Sequence, residues 1–317
     1  MTLSTRRGAL TTLGVALAGT LARPASVSLA ASDTRPASDA LPASDVRAAS
    51  DVGAASDAPA GDRRRRPRPL WRAHAHNDYA HPRPLLDALD HRFGSVEADI
   101  FLVGDQLLVG HEVSDLDPSR TLESLYLEPL AARVAATHGS VYRGAHRPLQ
   151  LLVDIKTEGA AAYLELDRRL RRYPRLFTRY AHGRVHPGPV TAVVSGDRAA
   201  RTPMAAQTER RAFYDGRLAD LTGSVPASLA PLISDNWTQN FTWTGTGAFP
   251  DAERRKLRSI TAAAHARGQR VRFWATPDTA GPARDALWTE LLAAGVDHLN
   301  TDDLAGLEAF LAAHAPA

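Results

Sequence analysis

The sequence contains no cysteine, which excludes disulfide stapling, thiolate metal ligands and lipid anchoring through a thiol. No stretch approaches the roughly 20 apolar residues a transmembrane helix needs; the longest apolar run, ALTTLGVALAGTLA, spans only residues 9–22. Neither G-x-G-x-x-G nor G-x-x-x-x-G-K follows an early strand, which argues against a nucleotide-binding fold. An excess of one charge is also missing once the chain is divided. Ten of the 38 basic and six of the 35 acidic residues fall in 1–69, leaving 28 basic against 29 acidic in the remainder. The basic pI therefore comes from the N-terminal tract, and no nucleic-acid-binding surface is expected.

Residues 1–30 have the pattern of an export signal: the pair Arg6–Arg7, the apolar run, then small residues up to Ala30. This fits a twin-arginine signal, with an ordinary Sec signal as the alternative; both predict a secreted bacterial protein. In 31–69 the triplet ASD recurs at 31, 37, 43, 49 and 55. Its fillers are too small and polar for a β-helix repeat, so the tract reads as a disordered linker. The linker ends in Arg63–Arg66, which suits peripheral contact with an anionic surface or a plain solvated end.

The remaining 248 residues, 70–317, alternate strand and helix patterns. Strands are expected at 70–74, 95–103, 148–155, 189–195, 211–215, 230–234, 270–275 and 296–300, with an extra hairpin strand in GDQLLVGHE. Helices are expected at 84–91, 121–137, 160–172, 199–210, 251–267, 281–293 and 303–313, with Asp251 capping the fifth. This alternation and length predict an α/β fold: a single (β/α)8 TIM-type barrel, preceded by the export signal and the linker.

Chemistry in such barrels sits at the C-terminal strand ends. Those ends hold His74 and His76, Glu97 and Asp99, Asp154 and Lys156, Ser195, Asp235 to Trp237, Trp274, and Asn300 to Asp302, with His111 after the hairpin. Residues i and i+2 of a strand share a face, so Glu97 and Asp99 point the same way, as do Asp154 and Lys156. Two buried like charges need compensation. Glu97, Asp99 and Asp154 together make a hard oxygen site for Mg²⁺ or Ca²⁺. The absence of cysteine and of an H-E-x-x-H helix argues against zinc. A pair of histidines could supply general acid and base, and Lys156 could stabilise an anionic transition state. Alternatively, Glu97 and Asp99 could pair with Arg72 or Lys156 as a structural network. Trp237 and Trp274 are candidates both for ligand stacking and for core packing.

The order His, E-x-D, His, D-x-K, with GVDHLNTDDL at 295–304, resembles the glycerophosphodiester phosphodiesterase and phosphatidylinositol-specific phospholipase C-like superfamily. HAHNDY, SVEADIFLV and VGHE are most similar to the branch of fungal altered inheritance of mitochondria protein 6. The resemblance implies a divalent ion on Glu97, Asp99 and Asp154, acid–base roles for His76 and His111, and phosphate contact by Lys156. It implies a small-molecule or lipid-derived phosphodiester as substrate; His74, Asn77, Trp237 and Trp274 at the strand ends are the expected substrate contacts, and Asn77 or Asp78 an added ligand. The glycerophosphodiesterase H-R-G and P-E-N-T signatures are absent. The first histidine is thus open between His74 and His76, and the His-Asn-Asp step favours His76. A glycoside hydrolase barrel and a non-catalytic binding barrel are the rival readings.

Overall fold

The computed structural model describes residues 68–315. The expected export signal and nearly all of the linker, including Arg63–Arg66, lie outside the described residues.

The strands are β1 (Leu70–Ala75), β2 (Phe93–Val103), β3 (Gln106–Val109), β4 (Leu149–Ile155), β5 (Arg179–Ala181), β6 (Arg184–His186), β7 (Val190–Gly196), β8 (Ala212–Gly216), β9 (Leu232–Asn236), β10 (Arg270–Trp274) and β11 (Leu299–Thr301). Eight of them pair in parallel in the lateral order β10-β9-β8-β7-β4-β2-β1-β11. The two ends of that order meet. Arg272 and His298 form a parallel bridge, and the Val271 carbonyl accepts from the Asp297 and His298 N–H groups. The sheet is therefore a nearly closed eight-stranded barrel of the TIM type. β3 folds back antiparallel on β2, as expected for the hairpin.

The helices are α1 (Leu86–Asp90), α2 (Glu128–Ala136), α3 (Gly159–Leu170), α4 (Arg201–Ala206), α5 (Trp237–Asn240), α6 (Asp251–His265), α7 (Pro282–Ala293) and α8 (Leu304–Ala313). α6 illustrates why they form. Leu257, Thr261 and Ala264 recur at helical spacing and are buried against the barrel, and burying Leu257 stabilises the fold by roughly 2 kcal/mol. Asp251 and Glu253 occupy the first turn and His265 the last, each matching the helix dipole, and Gly268 (φ 72°) allows the left-handed turn that follows.

Strand alternation sorts side chains between two layers. Val96, Ala98 and Ile100 of β2, Leu151 and Val153 of β4, and Ala192 and Val194 of β7 belong to the main core under the helices. The residues between them face the barrel interior. There Leu152, Val193, Phe213 and Leu232 form a small separate apolar cluster. The rest of the interior is polar.

All eight expected strands are present, with ends shifted by at most three residues. Three local expectations differ. The 121–137 helix opens as a π turn, Glu123–Leu127, because Pro129 has no N–H to continue the α ladder. Asp251 is the first helical residue of α6 and makes no cap bond; Pro250 occupies the cap position. The 199–210 helix is shortened to a 3-10 turn at Arg198–Ala200 followed by α4. The β5–β6 hairpin had no clear alternation to announce it.

Candidate active site

The lower polar layer of the interior is a continuous chain of hydrogen bonds from Gln150 to Asn300. Gln150 Nε2 donates to Ser95 Oγ (2.9 Å), and Ser95 Oγ lies 2.7 Å from His74 Nδ1. With the Ser95 hydroxyl donating to Nδ1, His74 carries its proton on Nε2 and donates it to Glu97 Oε2 (3.1 Å). Arg272 Nη2 donates to the same Glu97 oxygen (3.0 Å), and its Nε donates to Asn300 Oδ1 (2.9 Å). Burial, aided by the Arg272 charge, takes the His74 imidazole down to about 4 despite Glu97, so His74 is neutral at ordinary pH. Burial opposes ionisation of Glu97, but the Arg272 charge and the His74 hydrogen bond outweigh it and hold the carboxyl well below its usual range.

One step further out the barrel opens into a cavity of about 420 Å³. Lys156 Nζ sits between two carboxylates on adjacent strands, 2.7 Å from Asp99 Oδ2 and 2.8 Å from Asp154 Oδ2. Burial and the neighbouring Glu97 charge push Asp99 up to about 6, against the pull of Lys156. His76, just beyond β1, has Nδ1 2.7 Å from Asp302 Oδ1, and Asn77 Nδ2 also reaches Asp302 (3.3 and 3.4 Å). Asn77 adopts a left-handed backbone (φ 47°) at the turn that leaves the strand, and Tyr79 OH donates to its Oδ1 (2.7 Å). Burial pulls the His76 imidazole down, but the Asp302 hydrogen bond and the Glu97 charge outweigh it, and its pKa is raised above 6.5. Asp302 is itself seated by Asp278, whose Oδ2 accepts the Asp302 N–H (2.7 Å).

His111 stands on the rim, its side chain 55% exposed, and lines the same cavity as His76. The far wall carries Ser195, Gly196, Arg217 and Trp274. Gly196 (φ 78°) passes so close to β4 that a Cβ there would lie 2.2 Å from the Ile155 carbonyl oxygen.

The three carboxylates can be tested against a divalent cation. Each spends one oxygen on a protein cation: Glu97 Oε2 on Arg272, Asp99 Oδ2 and Asp154 Oδ2 on Lys156. Asp99 Oδ1 is buried without a hydrogen-bond partner. Hard anionic oxygens around one cavity, one of them orphaned, fit Mg²⁺ or Ca²⁺ in chemistry. Among the described residues, however, no three acidic or histidine side chains are already gathered around one point. Lys156 holds two of the three.

The structure thus brings His76, Asn77, Glu97, Asp99, His111, Asp154, Lys156 and Trp274 to one cavity. Four expectations need correction. Trp237 is not a ligand-stacking residue. It is fully buried, stacked on Phe241 with centroids 4.1 Å apart, and its Nε1 donates to the Trp243 carbonyl, because the segment after β9 folds back as an aromatic cluster. His74 is likewise fully buried and serves Glu97 rather than a substrate. Asp78 is no added ligand: it turns inward and accepts from Leu85 N–H (2.6 Å) and Tyr126 OH (2.9 Å), and burial pushes it up to about 7. Arg72, offered as a partner for Glu97, instead binds the Leu292 and Val296 carbonyls. Asp235 and Asn236 are spent on the backbone of Leu218 and on capping α5. Sequence reasoning missed Arg272 and the buried Asp215 with Arg217. Arginines alternating in the apolar RVRFWA strand were the available signal for the first.

Residues 66–215 match the family model described as the AIM6-like phosphodiesterase domain, and residues 270–305 match that of the glycerophosphoryl diester phosphodiesterase family. The chain is 31% identical over 258 residues to the altered inheritance of mitochondria protein 6 homolog of Arthroderma benhamiae, covering 73% of this chain and 81% of that protein. It is 30% identical over 278 residues to altered inheritance of mitochondria protein 6 of Eremothecium gossypii, covering 76% and 69%. A crystal structure of glycerophosphodiester phosphodiesterase from Agrobacterium tumefaciens aligns at 16% identity with a TM-score of 0.44, covering 75% of this chain and 97% of that one. These relatives overturn the expected localisation. They are fungal proteins named for altered inheritance of mitochondria, which points away from a secreted bacterial protein.

Proposed function

Because the chain belongs to the altered inheritance of mitochondria protein 6 branch of the glycerophosphodiester phosphodiesterase-like superfamily, we propose that its barrel mouth cleaves a small or lipid-derived phosphodiester by acid–base catalysis through His76 and His111. The observation that carries the proposal is the His76–Asp302 pair, 2.7 Å apart, opening on the cavity that also presents Lys156 and His111.

With Asp302 on Nδ1, the imidazole of His76 keeps its proton there and leaves the Nε2 lone pair available. Nε2 takes the proton of the attacking oxygen, from water or a neighbouring substrate hydroxyl, as that oxygen bonds to phosphorus. The phosphorus–oxygen bond to the leaving alcohol breaks, and protonated His111 delivers a proton to that oxygen. Lys156 supplies a fixed positive charge beside the phosphoryl oxygens. Glu97, Asp99 and Asp154 would hold a Mg²⁺ or Ca²⁺ ion, which when bound neutralises charge on the same oxygens. His74 and Arg272 keep Glu97 ionised and fixed in orientation for that task.

A glycosidase would need two carboxyl groups about 5–10 Å apart with independent roles. Asp99 and Asp154 instead share one ammonium group, and that reading leaves the histidines without work.

A panel of phosphodiesters with chromogenic leaving groups tests the reading. Wild-type turnover is expected, and His111→Ala should lower it at least about 10²-fold. Unchanged turnover in that variant removes His111 from the mechanism. Chelation should abolish turnover and added Mg²⁺ or Ca²⁺ restore it; full activity under chelation rules out the cation.

A further inference from the structure

A second cavity, of about 320 Å³, lies at the end of the barrel away from the mouth. Its lining comes from strand starts. Thr191 is second in β7, Phe213 second in β8 and Arg270 first in β10, while Pro148 and Pro231 immediately precede β4 and β9. The mouth is lined instead from strand ends, by residues such as Asp154, Ser195 and Trp274. Along β7, Val193 of the interior apolar cluster stands between Thr191 and Ser195, so packed side chains separate the two cavities.

Arg270 borders this lower cavity without a counter-charge. Its Nη1 donates to His298 Nε2 (3.3 Å), and its Nε and Nη2 bond to none of the described residues. His298 is buried, and its Nδ1 has no partner. Burial, reinforced by the Arg270 charge, holds the His298 imidazole well below its ordinary pKa, so it is a neutral acceptor and not a counter-ion. Burial and the nearby Arg147 take Arg270 itself down to about 10, which leaves it charged at neutral pH. Arg147 lies over the Trp71 ring (5.5 Å to the centroid), and its guanidinium also bonds to none of the described residues. The carboxylate that acts on both arginines is Asp297. It forms an ion pair with neither: its Oδ2 accepts from the Val271 N–H (2.9 Å) and lies 2.8 Å from His265 Nε2. Arg72, held by the Leu292 and Val296 carbonyls, adds like charge beside Arg147.

A half-buried guanidinium whose bonded partner is neutral is costly, and an anion relieves that cost. Beyond the two arginines and the Thr178–Thr191 hydroxyl pair (2.8 Å), the walls are apolar, with Val185 and Pro187 facing Phe213 and Pro231. Such a lining favours an anion carried on a compact apolar body over a hydrated inorganic ion.

We propose that the N-terminal opening of the barrel is a binding site for a small organic carboxylate, its charged end on Arg270 and Arg147 and its apolar body against Phe213 and Val185. The site is independent of the phosphodiesterase reading, because no residue of the mouth takes part in it.

Calorimetric titration of the full chain with benzoate, benzyl alcohol, acetate and inorganic phosphate tests the site. Wild type should bind benzoate at least about tenfold more tightly than benzyl alcohol, which lacks the charge, and than acetate, which lacks the ring. Arg270→Met should bring benzoate down to the level of benzyl alcohol. Arg147→Gln, at an exposed position, should weaken benzoate at least about threefold and keeps the test open if Arg270→Met fails to fold. Lys156→Met, altered at the mouth, should retain the wild-type affinity for benzoate; a loss there would put the anion in the mouth and overturn the proposal. Wild type that ignores benzoate, binds benzyl alcohol equally or binds phosphate as tightly overturns it too, as does unchanged affinity in Arg147→Gln.

Discussion

The two polar layers of the barrel interior are built from the same residue types two positions apart, yet they behave oppositely. At the end of β1, His74 is sealed and held neutral, whereas His76 is partly open and its pKa is raised. On β2, Glu97 is held ionised by Arg272, while Asp99 is pushed up to about 6 by burial and by Glu97 itself. On β10, Arg272 is buried with Nε and Nη2 bonded to Asn300 and Glu97, while Trp274 stands half-buried on the cavity wall. Depth decides the role. The lower layer spends its charges on internal pairs and fixes geometry; the mouth keeps atoms free for an incoming group.

The comparison is broken most severely by removing a cation from the lower layer. Arg272→Met leaves Glu97 charged, buried and held only by neutral His74, and should lower unfolding stability by about 3–5 kcal/mol. In a domain of this size that amounts to a fall in Tm of roughly 6–20 °C, measured by thermal unfolding. Lys156→Met should cost less, because Asp154 is partly open to the cavity and Asp99, already pushed up to about 6, can take up a proton; an equal loss in the two variants would dissolve the distinction between the layers.

Next in size is the acid side of the stability curve. Between pH 6.5 and about 4 the unfolded chain binds a proton at His74 that the folded chain refuses. The His74 contribution to stability should therefore fall by about 3 kcal/mol as pH drops through that window, while the raised Asp78 and Asp99 carboxyls contribute in the opposite sense. His76 has the reverse sign: its raised pKa gives a contribution fully present below 6.5 and lost as pH rises through the folded value. Denaturant unfolding of wild type and His74→Gln at several pH values measures the difference, and His74→Gln should show a flatter acid limb. An unchanged limb assigns the acid sensitivity elsewhere.

The mouth is tested by activity. His76→Ala should reduce turnover at least about 10²-fold, a barrier change of about 2.7 kcal/mol, with Tm within a few degrees of wild type. A large fall in Tm would move His76 into the structural layer. The smallest effect is expected for Trp274→Ala, which should raise KM roughly severalfold while leaving kcat near wild type. Steady-state kinetics separate the two.

Much of this was legible because strand alternation is a local rule. It places Glu97 with Asp99 and Asp154 with Lys156 on shared faces, and the strand-end rule puts them in one mouth. The partners that set their charge were less legible. Arg272 reaches Glu97 across 175 positions, and nothing within a short window ties the two together. Alternation does aim Arg270 and Arg272 inward, so the rule that found Glu97 could have found them. Trp237 was misplaced for another reason. A strand end usually opens on the cavity, but Phe241, Trp243 and Phe249 draw this one back into a core of aromatics. The expected export signal depends on residues that precede the described part of the chain.

The seam where the barrel closes has a consequence for how this mouth can be altered. β11 is three residues long, and the bridge to β10 is made by His298 just before it. Much of the fastening there comes from side chains: Arg272 to Asn300 (2.9 Å), and Asp278 to Thr301 Oγ1 and the Asp302 amide (2.7 Å each). Those bonds also hold Glu97 and the Asp302 partner of His76. The fastener and the scaffold of the proposed site are one set of groups, so a substitution on this side of the mouth also loosens the clasp of the barrel. Redesign of the mouth has to refit both together.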